Sequence, residues 1–128
     1  LSFAQSDPLI GKWKTIDDES GEAKSIVEVY EKSGKIYAKV VEILRAEHKK
    51  DICSKCDGTD KNKPILGMVI MNGLEKDGEE YNGGTILDPQ NGKKYKCYIT
   101  LESPDKLKLR GYIGISIVGR TQYWTRVK

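Results

Sequence analysis

The sequence predicts an all-β protein, a single antiparallel up-and-down β-barrel of about eight strands. Three observations carry that expectation. Apolar and polar residues alternate with period two, most cleanly over residues 94–101, where Tyr95, Cys97, Ile99 and Leu101 share one face and Lys96, Tyr98 and Thr100 the other. Clusters of Gly, Asn, Asp and Pro punctuate the chain between these stretches. No stretch of useful length carries the i, i+3, i+4 apolar spacing of an amphipathic helix. Consecutive hairpins closed into a barrel also leave no sheet edge unpaired.

Residues 1–8 are expected to be the tail of a signal peptide or a disordered N-terminus, because Leu1-Ser2-Phe3-Ala4-Gln5 resembles the end of such a peptide and Asp7-Pro8 closes it. Residues 9–128 then form one barrel domain. The first strand is expected at 11–16, with Gly11, Trp13 and Thr15 facing one way and Lys12 and Lys14 the other. After an Asp-Asp-Glu-Ser-Gly turn, the β-branched and aromatic stretch 24–31 reads as the second strand, closed by Ser33-Gly34 onto a third at 36–44. Residues 45–64 break the pattern as a polar, charged connection, and a loop that long is often functional or stapled.

A short apolar run at 65–71 reads as strand rather than helical turn, with turn signals at Asn72-Gly73 and Asp77-Gly78. The next strand, 80–87, is interrupted at Gly83-Gly84, where a bulge or bend is expected. Asp88, Pro89, Asn91 and Gly92 write a turn whose residues are explained by turn physics: Asp bonds nearby backbone donors, Pro presets φ, and Gly supplies positive φ. Strands at 94–101, 107–113 and 120–127 complete the set, with a turn at Pro104-Asp105 and a bend over 114–119.

Composition bounds the function. At 128 residues the chain is one domain in size and can bury roughly two-thirds of its unfolded surface, so neither metal nor disulfide is needed to fold it. The net charge is +3, with lysines scattered among nearly as many acids along the sequence, which gives no basic stripe and argues against a nucleic-acid partner. No apolar run approaches the ~20 residues of a transmembrane helix.

Two clusters carry a family resemblance. Gly11-Lys12-Trp13 on the first strand, with Arg120 and Arg126 bracketing Trp124 on the last, resembles the lipocalin and fatty-acid-binding (calycin) pattern. From Gly11 onward, Asn62-Lys63-Pro64-Ile65-Leu66-Gly67, Gly83-Gly84-Thr85-Ile86-Leu87-Asp88-Pro89 with Gly92 and Tyr95, Leu109-Arg110-Gly111, and Gly119-Arg120-Thr121-Gln122 through Trp124 to Arg126 resemble the bacterial exported family known as domain of unknown function 2147. The resemblance implies a secreted or periplasmic bacterial protein with a lipocalin-like barrel, and supplies no reaction. In the calycin pattern the tryptophan packs under an arginine of the closing strand, which assigns Trp13, Trp124 and Arg126 to structural barrel closure.

The residues that could carry chemistry are few. Cys53-Ser54-Lys55-Cys56 reads as a local disulfide in an oxidising compartment, with a zinc site or reactive thiols as alternatives. Zinc would need His48, Asp57 or Cys97 to complete an improvised ligand set, so no metal and no cofactor are expected. Cys97 reads as a buried small hydrophobe. His48 lacks an ordered nucleophile and third group. No catalytic residue is assigned, and the protein is expected not to be an enzyme.

An eight-stranded barrel can be filled by side chains or hold one small ligand. Tyr30, Tyr37, Tyr95, Arg110, Tyr112 and Tyr123 are the candidate residues for such a site, an apolar cup with polar groups suited to an amphipathic carboxylate. The expectation is therefore a monomeric exported barrel binding a small apolar or amphipathic molecule. The alternative is a cell-envelope interaction module with a filled barrel that meets its partner through loop 45–64.

Overall fold

The structure is a computed structural model that describes residues 7–17, 19–114 and 119–128. Eight strands follow in order: β1 (Gly11–Ile16), β2 (Ala23–Lys32), β3 (Lys35–Ile43), β4 (Val69–Asp77), β5 (Glu80–Asp88), β6 (Lys93–Ser103), β7 (Lys106–Tyr112) and β8 (Gly119–Arg126). Each pairs antiparallel with the next, and β8 returns to β1 through Trp13↔Arg126, Lys14↔Thr125 and Thr15↔Trp124, so the barrel is closed. This is the up-and-down architecture the alternation predicts.

Period-two patterning places the core. Trp13, Val27, Val29, Ala38, Ile99, Leu107 and Trp124 point inward and are almost wholly buried. Where the period would carry a core residue out, an extra residue resets it. On β3 the register against β2 slips between Ile26 and Val27, which returns Ile43 to the interior three positions after Val40. The Gly83-Gly84 interruption is a bulge, with the β5–β6 register shifting between Tyr81 and Gly84.

The apolar run at 65–71 differs from expectation. Residues 65–68 form a turn held by Met68 N–H to the Ile65 carbonyl and Gly67 N–H to the Val40 carbonyl, and β4 starts only at Val69. Asn72-Gly73 does not turn the chain but lies within β4. Gly73 has φ +74°, and the irregularity against β3 keeps both Met71 and Leu74 inside. Positive φ serves a mid-strand bulge as well as a turn, so the dipeptide alone does not separate the two. The bend expected over 114–119 and the leading tail fall largely on residues 115–118 and 1–6, outside the described residues.

Alternating connections separate the two ends. The β2–β3, β4–β5 and β6–β7 turns lie at one end, where the segment before β1 crosses beneath the barrel. Asp7 accepts a hydrogen bond from the Leu9 amide (2.9 Å) and one from the Tyr81 hydroxyl, whose pKa is raised by burial and by that carboxylate. The Leu9 carbonyl accepts the Trp13 indole N–H at 3.0 Å. Arg126 lies 4.3 Å from the Trp13 ring centroid and donates to the carbonyls of Pro104 (2.9 Å), Ile10 (3.1 Å) and Pro8. This end is shut.

Connection 45–64 is ordered by short 3-10 turns (Ala46–His48 and Gly58–Asp60), an Ile52–Pro64 bridge and a Cys53–Cys56 disulfide. It lies at the other end, among the β1–β2, β3–β4 and β5–β6 connections.

Across the bulge, β4 and β5 approach so closely that a Cβ on Gly84 would fall 2.1 Å from the Asn72 carbonyl oxygen. Gly84→Ala is expected to lower stability by about 1–3 kcal/mol in a urea titration, as overpacking of a fitted contact does. An unchanged midpoint would contradict the close approach.

Candidate functional site

The open end of the barrel holds a cavity of about 170 Å3. Its walls come from inward positions of successive strands: Val40 and Ile43 on β3, Ile70 on β4, Ile86 on β5, Tyr95 on β6 and Leu109 on β7. Trp124 and Thr15, paired across the β8–β1 seam, lie at the inner limit, and Gln122 lies one inward position nearer the mouth. The Thr15 hydroxyl is 2.7 Å from that of Ser25, so these two satisfy one another.

Charged groups from the connections ring the mouth. Arg45, just after β3, contacts the β1–β2 turn: its Nη2 lies 3.3 Å from an Asp17 carboxylate oxygen, 3.2 Å from Ser20 Oγ and 3.6 Å from Glu22. Asp17 accepts the amides of Glu19 and Ser20 as well, and these bonds, helped by Arg45 and Lys24, hold its carboxyl below the usual range. His48 and Asp51 pair at 2.7 Å, and Arg120 lies 4.0 Å from Asp88. Both pairs are on the cavity's rim.

Two residues that line this cavity each carry a buried nitrogen that is unsatisfied. Among the described residues, the buried side-chain nitrogens with no hydrogen-bond partner are Trp124 Nε1 and Arg45 Nε, and both side chains line the cavity. A buried donor left unmade costs on the order of 1–3 kcal/mol, so such groups call for an explanation. Trp13 shows the contrast, since its indole N–H is satisfied by Leu9.

The disulfide belongs to the wall of this end. Cys53 and Cys56 are both buried, and Cys53 Sγ lies 3.4 Å from the Pro89 carbonyl oxygen in the β5–β6 turn. Gly92, at φ +74°, packs against the same loop so tightly that a Cβ there would sit 1.9 Å from the Lys55 carbonyl oxygen. The bridge therefore fastens loop 45–64 onto the turn carrying Asp88 and Pro89. With both sulfurs bonded, neither is a thiol for His48 to activate.

Of the six sequence candidates for a ligand site, the fold brings Tyr95 alone to the cavity, where its hydroxyl accepts a hydrogen bond from Asn91 at 3.0 Å. Tyr30 and Tyr37 are cross-strand partners stacked on the outer wall at 5.7 Å. Arg110 donates to Thr121 Oγ1 (2.9 Å), Tyr112 leans against Tyr98 at 6.3 Å, and Tyr123 lies under the Lys106 ammonium at 4.7 Å, all outside. The same alternation that turns Leu109 and Trp124 inward turns these residues outward. Arg126 lies over the Trp13 ring at the shut end, whereas Trp124 lines the cavity. Arg45 and Gln122 were not singled out in the sequence, and a polar residue at an inward strand position was the available signal for Gln122.

Cys97 is a free, buried thiol whose pKa burial pushes up to about 12. Because the folded state holds the proton more tightly than the unfolded chain, this contribution to stability is whole below the unfolded thiol's pKa near 8.5 and is lost as pH rises toward 12. Denaturant titrations between pH 8.5 and 10.5 should show wild type losing about 1 kcal/mol or more per pH unit beyond the loss in Cys97→Ala. Parallel curves for the two proteins would contradict it.

The fold and site can be set beside known proteins. A solved structure described as protein HP1028 from the human pathogen Helicobacter pylori, which belongs to the lipocalin family, superposes with a TM-score of 0.82 at 24% identity, covering 94% of this chain and 83% of that one. A redesigned β barrel is similar at a TM-score of 0.55 and 18% identity, covering 94% and 93%. These likenesses show the fold, a lipocalin-like barrel. No curated protein matches the chain. The family model described as "Uncharacterized protein conserved in bacteria (DUF2147)" matches residues 11–126, nearly the whole barrel, and the chain belongs to that family.

Proposed function

We propose that this protein binds a small amphipathic molecule in the open end of its barrel, without chemical transformation. The observation that carries the reading is the coincidence of the two unpartnered buried donors, Trp124 Nε1 and Arg45 Nε, with one apolar-walled cavity. A ligand bearing acceptor oxygens, a carboxylate or a carbonyl, satisfies such donors, while Val40, Ile70, Ile86 and Leu109 take its apolar body. At about 170 Å3 the cavity is close to the ~150 Å3 that accommodates benzene and below the ~300 Å3 of a drug-sized pocket. The enclosed part therefore matches a single ring or a short acyl chain.

Export as a monomer to an oxidising compartment belongs to the same proposal. The Cys53–Cys56 disulfide and the bacterial family support it, since such bridges persist where thiols are not kept reduced. No helix among the described residues is long and apolar enough to cross a membrane. The alternative of a filled barrel is less well supported, because the cavity is open and loop 45–64 is fastened to the barrel.

The test is calorimetric titration with benzoate, hexanoate and toluene. The two acids should bind more tightly than toluene. Trp124→Phe keeps a ring but deletes the donor, and should weaken acid binding about three- to tenfold while leaving toluene unaffected. No binding by either acid, or unchanged acid binding by Trp124→Phe, would count against the reading.

A further inference from the structure

The residues that alternation turns outward make a surface of their own. β6, β7, β8 and β1 are consecutive around the barrel and carry ten Lys or Arg residues against a single acid, Glu102. The other four strands carry five basic and seven acidic residues. The register gathers the outward positions into rows. Tyr98 pairs with Arg110 and Arg110 with Thr121; Thr100 pairs with Lys108 and Lys108 with Tyr123; Lys106 pairs with Thr125 and Thr125 with Lys14. Lys96, paired with Tyr112, extends the face toward the mouth. There the strand β7 runs out into Ile113, an aliphatic side chain 59% exposed, in a depression shared with Lys93 and Lys94 on β6 and with Asp57 and Asp60 of the 45–64 connection.

We propose that the outer face of β6, β7 and β8 is a docking surface for an anionic lipid bilayer. The charge complementarity is direct: lysines on a face without an interior acid gain from a negative surface, and each adds to adsorption. The convex wall of a small barrel meets a plane along a few neighbouring strands, and β7 with its flanks supplies Lys96, Lys106, Lys108 and Arg110 there. Tyr98, Tyr112 and Tyr123 are amphipathic side chains of the kind that settle at headgroup depth. Two features favour a bilayer over a nucleic acid. Tyr98 and Tyr112 are turned on one another at 54°, and the Lys106 ammonium lies over the exposed Tyr123 ring, so the three rings do not form a row of open stacking platforms. The exposed aliphatic Ile113 at the edge of the face has a use in lipid and none on a phosphate backbone.

The experiment is sedimentation of the whole chain with vesicles of phosphatidylcholine alone or with about one-third phosphatidylglycerol, at low salt and at ~0.3 M salt. Wild type should bind the anionic vesicles, should fail to bind the neutral ones, and should be released by salt. Lys96→Glu/Lys106→Glu/Lys108→Glu should lose at least tenfold in partitioning, by the summed loss of adsorbed charge. Lys32→Glu/Lys35→Glu/Lys76→Glu, which changes net charge equally on the opposite side of the barrel, should lose much less. Near-ultraviolet circular dichroism establishes that both variants are folded, and if the first is not, single Lys106→Ala and Lys108→Ala replacements should each weaken binding. Equal losses in the two triple variants, no binding by wild type, or binding to a single-stranded oligonucleotide but not to vesicles would each overturn the proposal.

Discussion

The barrel depends on closing β8 onto β1, a seam of only three residue pairs: Trp13↔Arg126, Lys14↔Thr125 and Thr15↔Trp124. So short a ladder offers few backbone hydrogen bonds, and side chains supply the rest. Arg126 spans the seam, stacking on Trp13 and donating to carbonyls of the crossing segment and of the β6–β7 turn. A planar guanidinium with several donors suits this role, where a lysine ammonium could neither stack in the same way nor reach three carbonyls at fixed angles. Once the seam is shut at this end, the barrel has an inside, and its opposite end holds the open cavity.

That division of labour explains the two tryptophans. Trp13 is satisfied: its ring is covered by Arg126 and its N–H by Leu9. Trp124 lies two pairs further along the seam, equally buried, with an unpartnered N–H in a side chain that lines the cavity. Arg45 repeats the contrast within one side chain, its Nη2 engaged by the β1–β2 turn and its Nε left over. The disulfide loop contributes by fastening the β3–β4 connection to the β5–β6 turn, which fixes two sides of the mouth relative to each other.

Much of this was legible in the sequence because a strand writes its burial with period two. β6 could be read residue by residue, and Gly83-Gly84 announced its bulge. Other features were less legible for definite reasons. Asn72-Gly73 supplies positive φ, which turns and bulges share, and only the neighbouring strand decides between them. Tyr30, Tyr112 and Tyr123 are aromatic, and composition draws attention to aromatics whichever way they point. Arg45 sits in a polar connection where no period distinguishes it. The basic face is invisible along the chain, because most of the acids lie between Lys14 and Lys96 in sequence, and Lys14, Lys96 and Lys108 come to one side only through the register of antiparallel strands.

The central claim is that the Trp124 indole donor, buried without a partner in the protein alone, receives an acceptor oxygen from a ligand in the cavity. The two indole N–H signals in a proton–nitrogen correlation spectrum test it directly, with Trp13 as internal reference. Adding benzoate or hexanoate should move the Trp124 signal downfield, as hydrogen bonding does, and leave that of Trp13 in place. A saturable response in neither indole, or equal shifts in both, would contradict the account.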